Sequence, residues 1–184
     1  MKKRCSWCNQ NNELYVNYHD NEWCQRNQDD KYLFEMLLLE SFQAGLSWEC
    51  ILNKRKNFKE AYDNFDINKI SNYNDEKINE LLKNEKIIRN KLKIKSSINN
   101  AKIFKQIQKE YQTFNNYLKT FTNDETIYET GKIQNNLSDT ISKDLKQRGM
   151  TFIGTKIIYS YLQAIGIIYS HDKDCFMYKT SNKK

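Results

Sequence analysis

Asp29-Asp30-Lys31-Tyr32-Leu33-Phe34-Glu35-Met36-Leu37-Leu38-Leu39-Glu40 decides the fold class. Two aspartates stand where a helix needs a side-chain acceptor at its start. Tyr32, Leu33, Met36 and Leu37 then recur at helical spacing, and Leu39 and Glu40 widen the stripe. Gly45 can take the positive φ that ends such a helix. Ser47 can cap the next one, which starts at Trp48 with Glu49 near its positive end. A further helix is expected over Lys59–Phe65, and Asp75 begins another with Ile78, Leu81 and Leu82 inward. After a connection from Glu85 to Lys93, Ile94, Ile98, Ala101, Phe104, Ile107 and Tyr111 step along one face. Ser138 or Thr140 is placed to cap a helix ending at Gly149. Thr155 opens a last one striped by Ile157, Ile158, Tyr161, Leu162 and Ile165 and ended by Gly166. With no proline and five glycines in 184 residues, the chain reads as all-α. Residues 1–28 read as irregular, and residues 112–137 give no clear pattern.

The length suits one domain spanning residues 1–184. Aromatics at 13% argue against disorder. The net charge of +7 suits a polyanion such as nucleic acid, although solubility alone would also account for it. The longest apolar runs, Met36–Leu39 and Ile165–Tyr169, fall far short of the roughly 20 residues of a membrane span. Lys2, Lys3 and Arg4 have no apolar region behind them, so no secretory signal is read and the cytoplasm is the expected compartment. Five cysteines, an odd number, are then better read as free thiols or metal ligands than as disulfides.

Three groups of residues could carry chemistry. The two histidines, His19 and His171, each lie near a cysteine. His171 and Cys175 have the spacing of a zinc half-site, and Cys5 with His19 could supply the other half, joining the two ends of the chain. Spacing leaves alternatives open: Cys5 and Cys8 form a half-site themselves, Cys8 could replace Cys5 or His19, and Cys24 is close. The second group is aromatic: Trp7, Tyr15, Tyr18, Trp23 and Trp48 crowd the first quarter. Each alone reads as core; together they suggest a pocket for a flat, cationic base. The third is Glu40, a carboxylate on a buried stripe. Such a group needs a partner, which is either a helix-end salt bridge or the N–H edge of a bound base. Arg89, Lys91, Lys93 and Lys95 crowd the connection before the long helix, as a phosphate site or as a solvated basic turn.

Arg4-Cys5-Ser6-Trp7, Tyr18-His19-Asp20-Asn21-Glu22-Trp23, Leu33-Phe34-Glu35-Met36, Glu40 and Gln43-Ala44-Gly45-Leu46-Ser47-Trp48 together resemble the bacterial DNA-3-methyladenine glycosylase I family. So do Ile87-Ile88-Arg89, Phe152-Ile153-Gly154-Thr155, Tyr159-Ser160 and the His171/Cys175 tail. The likeness runs from about Arg4 to Cys175, and the Tyr18–Trp23 and Gln43–Trp48 runs are its most specific parts. It implies a helix-hairpin-helix DNA glycosylase fold with the hairpin at about 78–110. It also implies one structural Zn²⁺ per chain on Cys5, His19, His171 and Cys175, joining residues 1–28 to residues 166–184. The implied activity is base-excision repair: a monofunctional glycosylase flips 3-methyladenine out of alkylated double-stranded DNA and releases it as the free base. Glu40 would orient the base among Trp7, Tyr15, Tyr18, Trp23 and Trp48, Arg89, Lys91 and Lys93 would meet the backbone, and the chain would act as a monomer without a membrane partner. One departure stands out. The family places glycines in the hairpin, whereas Asn84-Glu85-Lys86-Ile87-Ile88-Arg89-Asn90-Lys91-Leu92 has none, so a turn needing positive φ would cost more here. A different class of reading, a zinc-stabilised nucleic-acid-binding module without catalysis, predicts binding without base release. A merely structural helical protein predicts neither.

Overall fold

A computed structural model describes residues 2–180; the basic Lys183 and Lys184 at the end of the expected zinc-joined tail lie outside the described residues. The helix read from Asp29 is α2 (Asp30–Gln43), and the Asp29 carboxylate caps it by accepting from Tyr32 N–H. Its stripe is wider than expected. Leu33, Phe34 and every residue from Met36 to Phe42 are buried, because four consecutive apolar residues cover all faces of a 3.6-residue turn. α2 is therefore the central helix, packed against α3 (Trp48–Ala61), α6 (Lys91–Tyr111), α7 (Phe114–Thr122) and α9 (Thr155–Ala164). Gly45 does end α2, at φ +80°, and Ser47 caps α3 through Cys50 N–H.

Several boundaries differ from the sequence reading. Residues 1–28 are not irregular throughout: Asn12 caps α1 (Glu13–Asn21) by accepting from Leu14 and Tyr15 N–H. The helix expected over Lys59–Phe65 is the end of α3 followed by a 3₁₀ turn, Asp63–Phe65, in which Asp63, Asn64 and Phe65 take positive φ. The short α4 (Ile67–Ile70) follows. The Asp75 helix is α5 (Asp75–Lys83), with Asn74 as its cap. Within residues 112–137, α7 is capped by Thr113, with Phe114, Tyr117 and Leu118 inward. Neither Ser138 nor Thr140 is the N-cap of α8 (Asn136–Gln147). Asn135 is, in a reciprocal capping box with Ser138. One addition qualifies the all-α expectation: β1 (Ile127–Tyr128) and β2 (Ile168–Tyr169) form a two-residue parallel pair.

The segment after α1 is held to the body by backbone bonds. Cys24 N–H donates to Gln163 C=O at 3.0 Å and Asn27 N–H to Ile165 C=O at 3.1 Å. Gly166, at φ +75°, faces this crossing with no room for a side chain: a Cβ there would run into the Gln25 carbonyl and the Arg26 nitrogen. Gly166→Ala combines that clash with a backbone conformation that L-residues disfavour. It is expected to cost at least about 2 kcal/mol, read as a lower urea midpoint with an unchanged slope. A wild-type midpoint would show that the crossing is slack.

Candidate functional site

The chain's two ends meet on a buried Cys/His cluster. The ligating atoms of Cys5, His19, His171 and Cys175 all lie within 4.8 Å of one another, a group that could hold a metal ion. Cys5 Sγ is 3.5 Å from His171 Nδ1, and Cys175 Sγ is 3.5 Å from His19 Nε2 and 3.6 Å from His171 Nδ1. The two nearby thiols are engaged elsewhere. Cys8 Sγ faces the Tyr15 carbonyl, and Cys24 Sγ accepts from Ser170 N–H. The spacing alternatives that used Cys8 or Cys24 therefore do not assemble.

The cluster's surroundings are built for orientation. Asp20 Oδ1 lies 2.7 Å from His19 Nδ1, which turns the other ring nitrogen toward the cysteines. Arg4 grips the same carboxylate with two donors, at 2.8 and 2.7 Å, and holds Asp20 below the usual carboxylate range. Burial, with help from nearby His19, lowers His171 to about 4, so its imidazole is neutral at physiological pH; burial also pushes the Cys5 thiol up.

Beside the cluster opens a cavity of about 450 Å³. All five expected aromatics line it: Trp7, Tyr15, Tyr18, Trp23 and Trp48, together with Glu40. α1 supplies Tyr15 and Tyr18, three and six residues after its Asn12 cap. α2 supplies Glu40 from its last turn, and Trp48 opens α3 across the Gly45 turn. Trp7 packs edge-on to Trp23 at 4.7 Å, and Tyr18 tilts against Trp48 at 5.4 Å. Two polar atoms here have no partner among the described residues, Glu40 Oε2 and Trp48 Nε1. Glu40 is 3% exposed, and burial alone pushes its carboxyl well above the usual carboxylate range. The helix-end salt bridge, the bland reading of Glu40, is absent among the described residues.

Sequence reasoning missed the far wall: Gln43, the loop Gly131-Lys132-Ile133, and Ser160 and Gln163 on α9. Gln43 and Ser160 stood in stretches that resemble the family, the Gln43–Trp48 run and Tyr159-Ser160, but were not assigned to the pocket; nothing in residues 129–135 marked the loop. Asp172, also in the lining, accepts from both the backbone N–H and the hydroxyl of Ser6.

The basic connection divides. Arg89 and Lys91 are exposed, Arg89 paired among the described residues only with its neighbour Glu85 at 3.3 Å. Lys93 is not on that surface: it is buried, and its ammonium donates to the carbonyls of Phe42 and Ala44. The missing glycines have no backbone cost, because no residue from 84 to 92 takes positive φ. Asn84 closes the turn by accepting from Lys86 N–H, and Asn90 caps α6 through Lys93 N–H.

A family described as methyladenine glycosylase matches residues 7–178. DNA-3-methyladenine glycosylase 1 of Escherichia coli (strain K12) is 37% identical over 96% of this chain and 97% of its own length. A crystal structure of a 3-methyladenine DNA glycosylase I superposes with a TM-score of 0.91 at 36% identity, covering 96% of this chain and all of the other. A variant of such an enzyme solved in complex with 3-methyladenine gives 0.89 at 31% identity, covering 94% and 95%.

Glu40 makes stability fall with rising pH. Its carboxyl ionises near 4.5 when unfolded and well above that when folded, so the native state holds the extra proton between those values and loses stability as pH climbs through them. Glu40→Gln removes the ionisation. At pH 8 the variant is expected to unfold about 1–3 kcal/mol later than wild type, with the gap closing toward pH 4. A gap that does not change with pH would contradict a buried, unpaired carboxyl.

Proposed function

The chain belongs to the methyladenine glycosylase family, and we propose on that premise that it hydrolyses the N-glycosidic bond of 3-methyladenine in alkylated double-stranded DNA. The observation that carries the reading is the unpartnered carboxyl of Glu40 at the bottom of an aromatic cavity. Adenine methylated at N3 is cationic, flat and edged with N–H groups. Trp48 and Tyr18 offer electron-rich faces to such a cation, with Trp7, Tyr15 and Trp23 completing the wall. The volume suits one base flipped out of the duplex.

The chemistry asked of the protein is selection. Methylation already makes the base a leaving group that departs neutral, so water can attack a sugar with cationic character without strong general-base help. Glu40 accepts from the N–H edge of the base and fixes its orientation. A cation beside it also favours the ionised carboxyl over the protonated form of the empty pocket. Unmethylated adenine has no charge to relieve that burial and a stronger bond to cut. Asp172, the other lining carboxylate, is committed to Ser6.

Zinc is the metal this donor set fits. Bonds of about 2.3 Å to sulfur and 2.0 Å to nitrogen in a tetrahedron place S and N about 3.5 Å apart, close to the separations within the cluster. Cys5, His19, His171 and Cys175 would hold it with no position left for water, and its chemistry would be structural: tying the N-terminal segment to the tail. We read α5, the Asn84–Asn90 turn and α6 as the DNA-binding helix-hairpin-helix, with Arg89 and Lys91 toward phosphates. We read the chain as acting as a monomer. No helix among the described residues is long and apolar enough to cross a membrane. The reading places the protein with chromosomal DNA in the cytoplasm.

Chromatography of bases freed from methylated duplex DNA tests the activity. Wild type is expected to release 3-methyladenine, and Glu40→Gln to release it about 10- to 100-fold more slowly through loss of a charged hydrogen bond. A folded protein that binds this DNA and frees no base would be the non-catalytic module instead. Elemental analysis of the purified chain is expected to find one zinc per molecule, retained in Cys8→Ser and Cys24→Ser, with a lower melting temperature after chelation. Metal-free protein of unchanged melting temperature would refute the zinc assignment.

A further inference from the structure

Lys93 breaks a local rule. It stands in the first turn of α6, where a helix presents partial positive charge and favours acids, and that turn contains no acid at all. It is also 7% exposed, and burial pulls its ammonium below the ordinary lysine range. The compensation lies on another helix. Lys93 Nζ donates to Phe42 C=O at 2.8 Å and Ala44 C=O at 2.6 Å, at the negative end of α2, where the last carbonyls lack helical partners. These two carbonyls flank Gln43, and Ala44 immediately precedes Gly45. Gln43 lines the cavity, Glu40 sits one turn earlier, and Trp48 begins four residues after Ala44. Among the described residues the α2 C-terminus has no other side-chain clasp: its backbone closure is the tight Leu46 N–H to Gln43 C=O turn, at 2.6 Å.

We propose that Lys93 is a positioning residue for the base pocket: its buried ammonium pins the Gln43–Ser47 turn to the start of α6, and so fixes Glu40, Gln43 and Trp48 relative to the exposed Arg89–Lys91 joint. The inference rests on the glycosylase reading and gives that site a second requirement. The groups that grip the base and the surface that meets the DNA backbone are held in register by one side chain, which is itself no phosphate contact.

The test uses the full zinc-bound chain with Lys93→Met, which keeps the length and removes the donors, and Lys93→Arg, which keeps charge and donors. Three quantities are measured: calorimetric affinity for free 3-methyladenine, the single-turnover rate of base release from methylated duplex, and the salt dependence of binding to a duplex carrying a tetrahydrofuran abasic analogue. Lys93→Met is expected to retain helical content, to bind the free base at least tenfold more weakly and to release it on the order of 100-fold more slowly. Its salt dependence should match wild type, and Lys93→Arg should recover much of both losses. If the Met variant does not fold, Lys93→Arg compared with wild type reads the same three quantities, and base affinity weaker than wild type with unchanged salt dependence supports the role. A salt slope shallower by about one phosphate contact would make Lys93 a DNA-backbone ligand and overturn the proposal. So would a lower melting temperature with base affinity and rate intact. A wild-type chain that neither binds nor frees 3-methyladenine removes the glycosylase reading and this inference with it, whereas a normal wild type beside a normal Lys93→Met removes the inference alone.

Discussion

Four of the five cavity aromatics, Trp7, Tyr15, Tyr18 and Trp23, lie in a short N-terminal stretch that carries little core of its own. The pocket has a wall there only while this stretch is clamped to the far end of the chain. The clamp has three layers. The Cys/His cluster brings together side chains 166 residues apart. The 24–27 segment is stitched by backbone bonds to the end of α9 across Gly166. At the very ends, Phe176 N–H donates to Lys3 C=O, and Asp172 accepts from Ser6. Closing so long a loop costs little more than closing a shorter one, because the entropy grows only logarithmically with length. Folding the helical body already brings the ends near, and the clamp then orders a segment that could not fold by itself.

The pocket is locally unstable. A carboxyl with an unpartnered oxygen, an indole N–H without an acceptor and a set of aromatic faces around empty space all oppose folding. The rest of the molecule tolerates this because α2 is buried on every side and because its end is clasped from α6. Local rules are broken at Glu40 and at Lys93, and these are the two places where the architecture serves the site more than the fold.

Helices whose apolar residues repeat over three turns or more were legible: α2, α6 and α9, each with a boundary set by Asp, Asn or Gly chemistry. Of the short elements, α5 was legible from its Asp75 start and apolar face, whereas α1, α7 and the β pair were not. α1 has nine residues and a weak stripe, and its cap, Asn12, is one of many asparagines in the chain. α7 hides behind a Gln112 at positive φ, and the β pair is two residues long and exists only because α9 returns beside it. For the site, chemistry was easier to read than geometry. Rare residue types, two histidines and three tryptophans in 184 positions, marked the cluster and the near wall. The far wall is made of Gln, Ser, Gly, Lys and Ile, common residue types that spacing does not single out. Lys93 was read with its basic neighbours because spacing assigns a position on a turn but not the destination of a long, flexible side chain.

The concentration of tryptophan has an optical consequence. All three indoles of the protein line the same cavity, and Trp48 presents an N–H with no partner. The indole emission of the chain, excited apart from its tyrosines, therefore comes wholly from the walls of its pocket. Whatever enters that space, whether a cationic base, a neutral one or ordered water, alters the polarity and stacking around every indole at once, so the molecule carries a built-in occupancy gauge in its own fluorescence.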